Sequence, residues 1–149
     1  MDRTELLERL APCGLHCGSC LAFEGSDIQR HAKDLQDALG QNFSMYAERF
    51  AAMHPVFAQY EAFRGSLEFL ASGSCHGCRG AGCIFATCGV HACAGERGVD
   101  YCFQCAEFPC DRHGMPPALA ERWRGNNERM REMGPEAWYL KIKDKPRYP

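Results

Sequence analysis

Eight of the chain's eleven cysteines lie between Cys75 and Cys110, and that crowding constrains the fold more than any other feature. The stretch ASGSCHGCRGAGCIFATCGVHACAGERGVDYCFQCAEFPC is rich in glycine and poor in large aliphatic side chains. Such a segment cannot fold on hydrophobic burial alone and needs cross-links. Disulfides require an oxidising compartment. The first residues, MDRTELLERLAPC, are charged and amphipathic, without the apolar centre or small-residue cleavage site of a signal peptide. Eleven is odd, so intramolecular pairing cannot be complete. The expectation is a cytoplasmic protein with reduced cysteines, many of them metal ligands. No stretch approaches the roughly 18 apolar residues of a membrane span, so no membrane association is expected.

The spacings indicate how metal is held. Cys75/Cys78 and Cys102/Cys105 are two C-x2-C pairs. Each such turn aims two thiolates at one point about 2.3 Å from the sulfurs, and two turns complete a tetrahedral zinc site. Paired knuckles are usually separated by about 15–20 residues. Here the interval is longer and contains Cys88 and Cys93, so an interleaved arrangement is equally open. Cys13, Cys17 and Cys20 are one thiolate short of a tetrahedron, and Cys110, outside the pairs, is the favoured fourth ligand. The candidate ligands are therefore Cys13, Cys17, Cys20, Cys75, Cys78, Cys88, Cys93, Cys102, Cys105 and Cys110. Cys83 belongs to no knuckle and is left as a spare thiol. A buried thiol acting as a small hydrophobe suits an isolated cysteine, but not eight within this segment. His16, His76, His91 and His113 are read as hydrogen-bonding neighbours rather than ligands. Zinc is the expected metal and an iron–sulfur cluster the alternative, since thiolates suit both. The ferredoxin run ending in C-P is absent; Pro109 precedes Cys110.

Cys13, Cys17 and Cys20 also have the C-x3-C-x2-C spacing of radical-SAM enzymes. Those require a partial barrel of alternating strands and helices, and a full barrel takes about 250 residues. This chain has 149 and no convincing strand pattern, so that reading fails. Cys102-Phe103-Gln104-Cys105 lacks the βαβ setting of a thioredoxin-like motif.

Outside the cysteines the pattern is helical. Asp2 and Glu5 resemble a capping box before Leu6, Leu7 and Leu10, with Pro12 as the stop. Ser26 or Asp27 caps a helix with Ile28, Ala32, Leu35 and Leu39 on one face, ended by Gly40. A third helix covers Phe43 to Met53. A fourth starts at Pro55 with the stripe Val56, Tyr60, Phe63, Leu67 and Leu70, expected to supply most of the apolar burial. Short turns are expected near 89–95 and 103–107. A last helix follows Pro116-Pro117 with Leu119, Trp123, Met130 and Met133 inward, and a turn carries Trp138 and Tyr139. The fold class is mainly α, a helical layer packed on an irregular, metal-stabilised cysteine-rich lobe. One domain is expected over 1–149, divided into 1–23, 24–72, 73–114 and 115–149.

Charge is uneven. Residues 1–70 carry 6 basic and 10 acidic side chains, whereas residues 115–149 carry 8 and 5. A solvated helix face gives the same count as a nucleic-acid site, and no reader motif is present. A protein partner is favoured over nucleic acid. The C-terminal tail is expected to dock, its basic side chains facing the acidic helices.

CGLHCGSCLAF, then CHGC, then CGVHAC leading through GERGVDYCFQCAEFPC, resembles the bacterial and archaeal cysteine-rich family called domain of unknown function 3795. All ten candidate ligands fall on that pattern and Cys83 does not. RGNNERMREMGPEAW resembles the family's C-terminal helix, whereas the KPRYP ending lacks a further cysteine pair found in some relatives. The resemblance implies metal binding without an established activity. No catalytic constellation emerges, and an enzyme with an open zinc site is the least favoured class. The expected role is a binding or adaptor module with structural metal; the alternative is an iron–sulfur protein in electron transfer or redox sensing.

Overall fold

The computed structural model describes residues 1–80 and 83–148. The chain divides into two compact units, Leu21–Ser74 and a unit built from Met1–Cys20 with Cys75–Pro149. Seven helices are described: α1 Arg3–Arg9, α2 Asp27–Leu39, α3 Phe43–Ala51, α4 Tyr60–Ala71, α5 Val90–Glu96, α6 Pro117–Met133 and α7 Pro135–Ile142. Tight 3-10 turns occupy Cys17–Ser19, Pro55–Gln59 and Cys102–Gln104. Among the described residues there is no strand, only a bridge pairing Leu10 with His16. The protein is mainly helical, as the sequence indicates.

In the unit Leu21–Ser74, the Ser26 hydroxyl accepts from the Gln29 amide (3.1 Å) and starts α2, and Gly40 at φ 77° ends it. The Gln29 side chain is buried and fully used. Its Nε2 donates to the Ala71 and Gly73 carbonyls (3.2 and 2.7 Å), and its Oε1 accepts from Gly25 (2.8 Å). That amide ties the start of α2 to the end of α4. The core beneath it is small: Ala32, Leu67 and Ala71, with Leu39 and Leu70 half-covered.

The stripe on α4 is not the main core. Leu67 is buried, but Val56 is 73% and Phe63 46% exposed, and Leu35 also faces outward. The helices α2 and α4 meet through Ala32 and Ala71, so their contact covers only a narrow strip of the apolar face. The rings of α3 meet those of the Pro55–Gln59 turn and the start of α4 at a tilt instead, Phe43 against Tyr60 (5.0 Å) and Phe50 against Phe57 (5.4 Å).

The larger side chains are buried in the other unit, where Leu6, Leu10, Tyr101, Met130, Trp138 and Tyr139 form one cluster. Asp2 accepts from Glu5 (2.9 Å) and begins α1. The Arg79 guanidinium closes its end, donating to the Leu7 and Leu10 carbonyls (3.1 and 3.4 Å) and to the Asp100 carbonyl. Trp138 and Tyr139, expected on a turn, lie on α7, because Gly134 at φ 88° ends α6 and Pro135 begins a new helix at once. Trp123 and Met130 are inward on α6 as expected, while Met133 is 38% exposed.

Two asparagines of α6 reach the cysteine-bearing loops. Asn127 is fully buried; its Oδ1 accepts from the Phe103 amide (3.0 Å) and its Nδ2 donates to the Trp123 carbonyl (3.1 Å). Asn126 donates to the Cys13 carbonyl (3.5 Å), and the Trp138 indole donates to the Gly14 carbonyl (2.8 Å). Gly14 is required there twice over. Its φ is +78°, and a Cβ would stand 2.7 Å from the Asn126 Cβ and 2.9 Å from the Met130 Cε.

The tail docks on its own unit. Arg147 donates to the His16 carbonyl (2.8 Å), Arg122 donates to the Arg147 carbonyl (3.0 Å), and the Tyr148 hydroxyl lies 3.6 Å from the Cys20 sulfur. The contacts are to the first cysteine loop and α6, which differs from the expected pairing with acidic helices. Main-chain carbonyls offer the guanidiniums short acceptors, and that of His16 also accepts from the Ser19 hydroxyl (3.0 Å).

Asn127→Ala leaves the Phe103 N–H buried without its acceptor. Urea denaturation should show a loss of about 1–3 kcal/mol in unfolding free energy; an unchanged midpoint would mean that the contact does not support the fold.

Candidate metal centre

All eleven cysteines are thiols with no disulfide among them. They divide into two neighbourhoods, both within the unit that joins the chain's two ends.

The second neighbourhood along the chain is the tighter. Cys93 on α5, Cys102 and Cys105 flanking a 3-10 turn, and Cys110 beyond it line a cavity of about 20 Å³ with Ala94, Arg97, Val99, Phe108 and Trp123. That is room for one small sphere, on the scale of a single water. Cys110 returns to Cys102 because the chain turns sharply there. The Phe108 amide donates to the Cys105 carbonyl (3.1 Å), and the Phe108 ring meets Trp123 edge-on (5.0 Å). Burial pushes the Cys102 thiol up to about 11, helped by the nearby Cys110, Cys93 and Cys105. The Trp123 side chain opposes that shift and favours the thiolate. Its buried indole N–H has no hydrogen-bond partner. An orphaned donor beside four crowded sulfurs fits a negatively charged thiolate better than a neutral thiol.

The first neighbourhood gathers Cys13, Cys17, Cys78 and Cys88. Burial pushes Cys13 up to about 12 and raises Cys17, Cys78 and Cys88. The charges of Cys13, Cys17, Cys88 and Cys83 act on Cys78, and those of Cys75 and Cys20 on Cys17. Main-chain donors point the other way: Leu15 favours the Cys13 thiolate, Cys78 that of Cys17, and Val90 with His91 that of Cys88. The Gly77 amide likewise donates to Cys75 (3.4 Å). The Gly77 N–H, and the Phe85 N–H that donates to Cys83 (3.5 Å), are directed at sulfur, the arrangement that holds a thiolate in a tight turn.

Among the described residues no group of three or more His, Cys, Asp or Glu side chains is placed so as to hold a metal ion. The donor chemistry, thiols crowded beside a small cavity and an unpartnered indole N–H, is of the kind that thiolate-bound metal uses.

The spacings leave the grouping open. Cys93, Cys102, Cys105 and Cys110 line one cavity, and Cys75 and Cys78 are not among its lining residues. Cys110 joins Cys102 and not Cys13, Cys17 and Cys20, which instead lie with Cys78, Cys88 and Cys75. Cys83, left as a spare thiol, is beside Cys78 and Cys88. Asn126, Asn127 and Trp123 escaped notice as supports for the cysteine loops. The NN pair in RGNNERM, two amides inside a helix where their propensity is low, was the signal.

The raised thiols set the pH response of metal-free protein. A thiol held above its ordinary value stabilises the fold fully below that value, and the stabilisation is lost as the pH rises through the folded value. For Cys13 that window runs from 9.0 to about 12. Denaturant midpoints of metal-stripped protein should fall across it, and a flat profile would contradict the buried placement of these thiols.

No curated protein and no solved structure matches the chain. One family model does, covering residues 9–115, and it spans every cysteine in both neighbourhoods. The chain belongs to the family described as protein of unknown function (DUF3795).

Proposed function

We propose that this protein is a small binding or adaptor module whose cysteine-rich part is held by structural zinc. One site is Cys93, Cys102, Cys105 and Cys110; the other is drawn from Cys13, Cys17, Cys78 and Cys88, with Cys20 and Cys75 adjoining. The observation that carries the reading is the cavity of about 20 Å³ lined by four sulfurs, beside an indole N–H with no oxygen or nitrogen partner. Four thiolates close a tetrahedron and leave no ligand position for a substrate, which supports binding over catalysis. Burying four thiolates together is costly unless a cation neutralises them, so metal supplies folding free energy here. Cys102-Phe103-Gln104-Cys105 supplies two ligands from one turn, which α6 fixes through Asn127.

Protein purified without oxygen should be colourless and contain zinc by elemental analysis. A brown sample with charge-transfer absorption would replace zinc by an iron–sulfur cluster. Cys102→Ser and Cys110→Ser should each remove about one equivalent of metal, and combining them should remove no more, since they serve one site. Cys17→Ser should remove a separate share, additive with Cys102→Ser. Full metal content in Cys102→Ser and Cys110→Ser would overturn the assignment. Trp123→Phe keeps the ring packing and deletes the N–H; metal affinity, read by chelator competition, should fall about 10–100-fold.

A further inference from the structure

The unit that joins the chain's ends has a cavity of about 570 Å³, separate from the four-cysteine cavity. The loop from Gly14 to Ser19 forms one wall, and α6, α7 and the tail form the others. Five cationic side chains line it, Arg122, Arg129, Lys141, Lys145 and Arg147, and no Asp or Glu does. The segregation is written into the helices. Arg122, Asn126 and Arg129 lie at i, i+4 and i+7 and share one face of α6. Glu121, Glu128 and Glu132 lie roughly 100° around the same helix.

The cations are positioned without being neutralised. Among the described residues none of the five forms an ion pair. Arg147 is held by the His16 carbonyl (2.8 Å), Arg122 by the Arg147 carbonyl (3.0 Å), and Arg129 lies over the Trp138 ring (5.6 Å). The nearby Asp144 carboxylate is taken by Lys143 (3.4 Å) and lies outside the lining. The His16 side chain adds two buried ring nitrogens with no hydrogen-bond partner. Five like charges around one cavity repel each other, and an anion relieves that repulsion.

We propose that this cavity binds a small organic phosphate carrying at least two negative charges. Guanidinium forks match phosphate oxygens in paired hydrogen bonds, and lysines add point charges. Leu15, Trp138, Ile142 and Pro146 provide an apolar wall for the organic part. The volume lies within the range of small-molecule sites, about 300–1,000 Å³, and exceeds what a bare phosphate fills. A phosphate, with three free oxygens, uses donors converging from several walls better than a planar carboxylate does. The basic side chains surround one half-open cavity, four of them exposed to solvent, rather than forming a stripe, which favours a small ligand over a nucleic-acid backbone. The proposal does not depend on which metal the cysteines hold.

Isothermal titration of the metal-loaded full chain with ADP and with pyrophosphate tests it, with citrate and a single-stranded oligonucleotide as comparisons. Trp138 lines the cavity, so its fluorescence gives a second readout. The expected result is one ADP site, with pyrophosphate weaker and citrate weaker still. Lys141→Ala/Lys145→Ala should weaken ADP at least about tenfold, with metal content and circular dichroism unchanged. Arg129→Ala should weaken it further, while Lys33→Ala on α2 should change nothing. Absence of ADP and pyrophosphate binding at millimolar concentration by folded protein would overturn the proposal. So would affinity unchanged in Lys141→Ala/Lys145→Ala, a preference for citrate over ADP, or tighter binding of the oligonucleotide than of ADP.

Discussion

Buried amides on one helix hold the two cysteine neighbourhoods in place. Asn127 satisfies the Phe103 amide inside the Cys102–Gln104 turn, and Asn126 reaches the Cys13 carbonyl one helical step away. Each replaces water for a main-chain group that burial would otherwise leave unpaired, a deficit costing about 1–3 kcal/mol. Because the two residues are consecutive, one helix orientation must serve both turns. The position of Gly14 follows from the same constraint. Without a side chain it lets the loop settle directly on Asn126 and Met130, and its carbonyl then receives the Trp138 indole. A short loop without regular structure is thereby given one conformation by a helix more than a hundred residues further along the chain.

Arg79 plays a comparable part from the other side. Its guanidinium takes three carbonyls from two segments and stacks over Tyr101 (5.4 Å). The planar donor fork does what three separate side chains would otherwise have to do. In the unit Leu21–Ser74, Gln29 is the counterpart. In each case a single long polar side chain ties together main-chain groups of segments distant in sequence.

Much of the helical fold was legible in the sequence because its signals are local. Asp2, Ser26, Gly40, Pro117 and Gly134 stand at the helix ends, where capping chemistry and backbone freedom put them. The α4 stripe misled because periodicity states which residues share a face, not whether anything covers it. A glycine–proline pair usually interrupts helix and so predicts a turn for Trp138 and Tyr139, but here it separates two helices. The cysteine grouping was the least legible part. Spacing limits which thiols a single turn can bring together, but Cys88 joins Cys13 through the folding of the whole unit. The basic cavity was obscured for the same reason. Arg122, Arg129, Lys141, Lys145 and Arg147 look like a solvated surface until α7 folds back beside α6.

The first cysteine loop and the helices that seat it lie at opposite ends of the sequence, with the unit Leu21–Ser74 inserted between them. The inserted helices make their contacts within Leu21–Ser74, a continuous stretch that can fold once it has left the ribosome. Cys13 and Cys17 cannot reach their final surroundings until Asn126, Met130 and Trp138 have been synthesised. For most of translation the nascent chain therefore carries these thiols outside the protection they finally receive, open to oxidation or to capture by whatever metal the cell supplies. Synthesis speed and thiol-keeping conditions, as much as equilibrium stability, then determine how much correctly assembled protein the cell obtains.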